Sequence, residues 1–276
     1  MIFSLAQTPK GMIILEYTVN GQDIHLKQND LNLDETLDCG QAFRWEKIAD
    51  GYHGFFLNRP LTITAEKDYF VFHDTTEKDF IGVWIDYFDL ATDYGELKRI
   101  FSEDETLSKA CNFAGGIRLL RQDKWEALCS FIISQNNNIP RIKGIISRLC
   151  EVNNGFPAAE QLSNLSVDDL SYLRSGFRAK YILDAAKKVS DGEINLNEIS
   201  KSTLEASRKK LISIVGVGPK VAECALLYGM YRIEAFPVDV WIKRVMSEYY
   251  PNGLPNFILP YAGIAQQYLF HYIRNI

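Results

Sequence analysis

Residues 211–241 read LISIVGVGPKVAECALLYGMYRIEAFPVDVW. Apolar residues recur at helical spacing into Ile214, break at Val215-Gly216-Val217-Gly218-Pro219, and resume at Val221. Two glycines around one apolar residue permit a very tight turn, with a positive φ where it is needed. Pro219 suits the first turn of the following helix, where its missing N–H costs nothing. The stretch therefore predicts a helix, a hairpin and a second helix across about 204–230. The hairpin amides, around Gly216, Gly218 and Val221, are placed to hold a phosphate with no preference for what it is attached to. Backbone carbonyls of the same turn offer a seat for a monovalent cation. GVGPK alone leaves an ordinary helical turn as the lesser alternative. The continuation narrows the choice: the loop 236–240, Phe236-Pro237-Val238-Asp239-Val240, places Asp239 where an N-cap belongs, ahead of a helix over Val240–Tyr249.

The same helical period extends on both sides of the hairpin. Trp125–Ile133, Arg141–Cys150, Tyr181–Val189, Leu204–Ile214 and Val221–Met230 all carry it. Before about Asp79 the character differs. Gly11–Val19, Gly51–Leu57, Leu61–Ala65 and Tyr69–His73 are short, aromatic or β-branched, and separated by turn residues, with Thr36–Trp45 and its glycine among them. The pattern predicts an α+β chain: an N-terminal antiparallel β-sheet domain over 1–95, then helical domains over 96–276. There is no internal repeat and no low-complexity segment.

A length of 276 residues suits one large domain or two to three small ones, and 47% hydrophobic residues suffice for a real core. No apolar run reaches the roughly 18 residues a membrane span requires. The start lacks the basic and apolar regions of a secretory signal, and Met12 is an alternative first residue. The five cysteines and four histidines are scattered, which argues against a disulfide framework, a zinc site and an iron–sulfur cluster. The expectation is a reduced, cytoplasmic protein with no metal and no cofactor. The net charge of −5 hides two unlike halves. Residues 1–114 hold 10 basic and 20 acidic residues, and residues 115–276 hold 20 and 15, so the C-terminal half is positive. A phosphate-binding surface needs a local patch, and that half is where it belongs.

Hairpin, Gly/Pro loop and aspartate in this order resemble the helix-hairpin-helix DNA glycosylases. In that superfamily a lysine at the position of Lys220 marks the bifunctional glycosylase/lyases. Six stretches narrow the resemblance to the 8-oxoguanine DNA glycosylase/lyases, over nearly the whole chain: CGQAFRW (39–45), GIRLLRQD (116–123), SQNNNIPRI (134–142), GFRAKY (176–181), the hairpin, and PYAGIAQQYLF (260–270). The resemblance also implies a TBP-like N-terminal domain. The implied chemistry fits the residue types. An amine attacks the sugar C1′, a Schiff base forms, and β-elimination releases the 3′ phosphate. A carboxylate beside it stabilises the positive charge that develops on the sugar. Lys220 and Asp239 match those two roles.

By the same resemblance, Gly40 is the damage reader. Oxidised guanine carries a hydrogen at N7 where guanine has a lone pair, and only glycine lets a backbone carbonyl come close enough to read it. Cys224, one helical turn after Lys220, and Phe270 match the residues that sandwich an extruded base; on sequence alone both would pass for core packing. Gln266 matches the residue that bonds the base edge, and Pro237 lines the same pocket. Asn136 matches the filler of the vacated space, Arg141 and Arg178 the pair that reads the opposite cytosine, and Phe177 a wedge. Trp241 stands at a phosphate contact where animal enzymes have histidine, and Phe177 where they have tyrosine. The stretch PNGLPNFILP before Tyr261 is short, as in a bacterial or archaeal-type member. The expected partner is double-stranded DNA containing 8-oxoguanine, with the protein a monomer at the nucleoid of a prokaryote and no membrane involved. Two other readings remain open here: a same-fold glycosylase for another damaged base, and a non-catalytic hairpin module that clamps phosphate.

Overall fold

The computed structural model describes the backbone of residues 3–8, 11–28 and 30–276, and side chains within 15–28 and 30–276. Met1, Ile2, Pro9, Lys10 and Asn29 lie outside the described residues. Contacts group the chain into two compact units. The first holds residues 1–41, 45–121 and 267–276, and the second holds residues 42–44 and 122–266.

The first unit is built on a seven-stranded sheet in the order β1-β2-β3-β7-β6-β5-β4, every pairing antiparallel. The strands are β1 Phe3–Thr8, β2 Gly11–Asn20, β3 Asp23–Lys27, β4 Trp45–Ile48, β5 Gly51–Phe56, β6 Arg59–Ala65 and β7 Phe70–His73. Two meanders, β1–β3 and β4–β7, meet where Ile24 pairs with Phe72 and Leu26 with Phe70. Ile24, Leu26, Ile63 and Phe72 lie on the buried face, beneath Phe80, Trp84, Tyr87 and Phe88. The helices Tyr94–Phe101 and Glu105–Phe113 also group with the sheet. Their buried stripes are Tyr94, Leu97 and Phe101, then Leu107 and Ala110. The division thus falls at Arg121 and not at 95, and residues 267–276 return to the first unit.

One stretch differs from its sequence reading. Thr36–Trp45 is not strand: a short helix covers Leu33–Leu37, and an irregular loop follows until β4 starts at Trp45. Asn32 caps that helix by accepting from the Glu35 amide at 3.1 Å. The fully buried Gln41 then saturates the loop. Its Nε2 donates to the carbonyls of Thr36 and Arg118, both at 2.8 Å, and its Oε1 accepts from the Leu120 amide at 3.0 Å. Side-chain bonds thus replace a ladder.

The second unit is helical. Lys124–Ser134 is buried almost all round, and Ile139–Asn153, Arg178–Ser190, Leu204–Ile212, Pro219–Cys224 and Val240–Tyr249 surround it in sequence. These match the helices expected from periodicity, except that the second hairpin helix changes after Cys224 into a π-turn, Ala225–Gly229, buried throughout. Such wider turns recur at functional sites. Among the described residues, no helix is long and apolar enough to cross a membrane.

Candidate active site

The hairpin turn is fixed from outside. The Val215 amide donates to Asp184 at 2.7 Å, and Lys188 bonds both Asp184, at 3.1 Å, and the Ser213 carbonyl, at 2.6 Å. Val217 closes the turn onto the Ile214 carbonyl at 3.0 Å. Gly216 has φ +79°, and a Cβ there would lie 2.3 Å from the Tyr181 ring. Gly218 is unlike it: it caps the helix Pro219–Cys224 in an extended conformation, φ −94°, and a Cβ there would meet nothing within 4 Å. The helix opens with the bond from the Ala222 N–H to the Gly218 carbonyl at 3.0 Å. The earlier amides, Lys220 and Val221, are helix-start donors without an intrahelical acceptor.

Lys220 is half-buried at the head of this helix. Its Nζ lies over the face of Phe131, 5.5 Å from the ring centre. Phe131 is itself stacked on Tyr228, with centroids 4.9 Å apart and planes 18° apart, and meets Phe43 edge-on. Cys224 follows one turn later and is buried. Burial pushes its thiol up to about 11, against the pull of the Lys220 charge and of a hydrogen bond with Lys220; the Asp239 carboxylate pushes the same way as burial. Lys220 thus lies within one helical turn of this thiol, and the charge of Asp239 acts on it as well.

Asp239 is the N-cap of Val240–Tyr249. Its Oδ1 accepts from the amides of Trp241 at 3.0 Å and Ile242 at 2.9 Å. Oδ2 carries no hydrogen bond among the described residues. The cap thus fixes one carboxylate oxygen and leaves the other. Pro237 is buried, while Val238, Val240 and Trp241 are exposed around the carboxylate.

Asn136, Arg141, Phe177 and Arg178 gather elsewhere in the second unit. Asn136 is left-handed, φ +46°, in the turn between Lys124–Ser134 and Ile139–Asn153. Asn138 caps the latter helix, accepting from the Arg141 amide at 3.0 Å. Arg178 faces inward. Its Nε and Nη2 donate to the Gln135 carbonyl, Nη2 also to Asn136 O at 2.9 Å, and Nη1 to Ser175 O at 3.1 Å. Burial, then the charge of Arg141, pushes its guanidinium down from the usual arginine range. The guanidinium lies on the exposed Phe177 ring at 4.4 Å, and Phe177 meets Tyr181, the ring beneath Gly216, edge-on. Arg141 is exposed and reaches the Arg174 carbonyl at 3.3 Å.

Gln266 is buried, its Oε1 3.5 Å from the Tyr228 hydroxyl. Gly40 and Phe270 belong to the first unit. Gly40 has φ +90° in the loop held by Gln41, and Phe270 is half-buried under the Arg274 guanidinium at 5.0 Å. Phe131, Tyr228 and Asp184 are missing from the sequence reading. All three look like core or surface residues locally; the fold brings Phe131 and Asp184 to the hairpin, and Tyr228, inside it, is singled out only by its stacking on Phe131.

A glycine-turn hairpin followed by a loop that ends in a helix-capping aspartate marks the helix-hairpin-helix class of base-excision DNA repair proteins. The model of the 8-oxoguanine DNA glycosylase N-terminal domain matches residues 23–128, and that of the HhH-GPD superfamily base excision DNA repair protein matches residues 129–253. A solved structure of MBOgg1 with a low-affinity DNA ligand is 41% identical, with a TM-score of 0.87, over 95% of this chain and 98% of that one. The Clostridium acetobutylicum 8-oxoguanine glycosylase/lyase, in complex with double-stranded DNA containing cytosine opposite 8-oxoG, is 35% identical, with a TM-score of 0.85, over 95% and 97%. The Saccharomyces cerevisiae N-glycosylase/DNA lyase is 36% identical over 158 residues; this match covers 49% of the chain and 42% of the yeast protein, less than half its length. The chain belongs to the 8-oxoguanine DNA glycosylase/lyase family.

Proposed function

We propose that the protein removes 8-oxoguanine opposite cytosine from duplex DNA and then nicks the strand, with Lys220 as nucleophile. The observation that carries this reading is the gathering of Lys220, Cys224 and Asp239 at the hairpin, with one carboxylate oxygen held by the cap and the other unbonded. The uncharged Nζ attacks C1′. The N-glycosidic bond breaks, and its electron pair leaves on the base, which takes up a proton. The sugar ring opens to an imine on Nζ. Loss of a C2′ proton then expels the 3′ phosphate, and water releases the lysine. Asp239 stabilises the positive charge on the sugar and on the imine.

The remaining roles follow from family resemblance and local geometry. Cys224 and Phe270 flank the extruded base and Gln266 meets its edge, offsetting the few kcal/mol that extrusion costs. The carbonyl of Gly40, in a backbone conformation suited to glycine, accepts from the N7 hydrogen of the lesion. That one bond is worth about 1–3 kcal/mol, so rejection of normal guanine also operates earlier, during extrusion. Asn136 fills the gap, Phe177 wedges beside it, and Arg141 and Arg178 read the opposite base. For Arg178 this requires giving up carbonyls of the Asn136 loop. The amides of Gly216, Gly218 and Val221 and the lip at Trp241 take the backbone phosphates.

The test is borohydride trapping on a duplex with 8-oxoguanine opposite each of the four bases. The expected result is a covalent adduct, fastest opposite cytosine and lost in Lys220→Gln, with DNA affinity retained. Free base released without an adduct would show a water-dependent enzyme and overturn the lysine assignment.

A further inference from the structure

Glu223 is a buried carboxylate on the helix that carries Lys220, and none of the roles above uses it. It makes two sets of bonds. Arg208, on the first hairpin helix, donates from Nε to Oε1 and from Nη2 to Oε2, the latter at 3.3 Å. Oε2 also accepts from the Phe236 amide at 2.8 Å. Phe236 opens the loop Phe236-Pro237-Val238-Asp239, so this one carboxylate joins both hairpin helices to the segment that presents the capping aspartate.

We propose that Glu223, braced by Arg208, is a positioning residue that sets the distance between Lys220 and Asp239. Glu223 lies three residues after Lys220, within the same helix. Phe236 lies three residues before Asp239, with Pro237 stiffening the stretch between them. The tether therefore acts within one short segment of each group. Arg208 is the partly exposed member, with 42% of its side chain accessible against 9% for Glu223. Its fork holds the carboxylate so that Oε2 is aimed at the loop amide. A general structural ion pair would need no backbone amide from the catalytic loop; this one ends on it.

The inference rests on the assignment of Lys220 and Asp239 as the reacting pair, and the experiment separates the two. Wild type, Glu223→Ala, Glu223→Gln and Arg208→Ala are compared in single-turnover excision of 8-oxoguanine opposite cytosine. Rates are taken per molecule competent for borohydride trapping at a preformed abasic site, and the Kd for lesion duplex is measured alongside. Misplacement by about an ångström costs up to about 100-fold. Glu223→Ala is therefore expected to slow excision by about 10- to 100-fold at a Kd within about 3-fold of wild type. Glu223→Gln keeps one acceptor and should fall between Ala and wild type. Arg208→Ala, at a more exposed position, should lose several-fold and carries the test if Glu223→Ala does not fold. Wild-type excision rates in the Glu223 and Arg208 variants overturn the positioning role. So does a loss that follows Kd. A wild-type protein that excises nothing from the lesion duplex overturns instead the functional reading on which the inference stands.

Discussion

The side-chain nitrogen of Lys220 lies 5.5 Å from the centre of the Phe131 ring, over its face. Phe131 is 3% exposed and is held from two sides, by Tyr228 stacked beneath and Phe43 at its edge. The ring is therefore a fixed seat, and it limits where a flexible lysine can put its amine. Phe131→Leu keeps most of the apolar volume but removes the flat face. The lost volume and the two lost ring contacts should cost about 1–3 kcal/mol of stability. Single-turnover excision should fall by about 10-fold, with Kd for the lesion duplex unchanged. Excision at the wild-type rate in a folded Phe131→Leu protein would remove the seat from the mechanism.

Asp239 offers a cleaner separation of fold from chemistry. Its Oδ1 takes the amides of Trp241 and Ile242, and its Oδ2 is left over. Asparagine caps helices about as well as aspartate, so Asp239→Asn should stay within about 1 kcal/mol of wild-type stability. It has no charge to set against the cationic sugar, and excision should drop by about 100-fold or more. Asp239→Ala should lose the cap as well, a further cost of about 0.5–2 kcal/mol. Thermal unfolding and single-turnover rates on the three proteins decide it. If Asn and Asp proteins excise equally fast, the carboxylate is a cap and nothing else.

These two residues differ in how far the sequence exposed them. Asp239 was legible because a cap is a local device: its partners are two and three residues away. The hairpin was legible for the same reason, since GVGP carries its turn chemistry within five residues. Phe131 was not. Nothing in WEALCSFII distinguishes the phenylalanine beneath the lysine from its neighbours, because 89 residues of chain separate it from Lys220. Glu223 was hidden likewise, its acceptor role set by an amide 13 residues on. The alternating strands announced a sheet, but not that β3 would join β7, a pairing that closes about 46 residues of chain. Thr36–Trp45 misled because its order comes from Gln41, whose bonds reach Arg118 and Leu120. Local chemistry is written in local sequence; tertiary hydrogen bonds are not.

The two hairpin glycines should respond in opposite ways, although they are two residues apart. Gly216 is left-handed at φ +79° and its α-carbon faces the Tyr181 ring, where a methyl group would sit 2.3 Å from ring carbon. Gly216→Ala adds backbone strain of about 1–2 kcal/mol and overpacking of about 1–3 kcal/mol. The turn should lose about 2–5 kcal/mol of stability, and DNA binding should fail with it. Gly218 is extended at φ −94°, and a methyl group there meets no protein atom within 4 Å. Gly218→Ala should therefore fold with stability within about 1 kcal/mol of wild type, a weaker cap being offset by a stiffer unfolded chain. The methyl group instead enters the space that a phosphate needs to reach the helix-start amides. Duplex affinity should fall by about 10-fold or more for lesion and undamaged DNA alike, because phosphate contacts carry no sequence information. Unfolding curves and Kd values on both duplexes test the contrast. A Gly218→Ala protein that binds DNA as wild type does would mean the phosphate is held somewhere other than this turn.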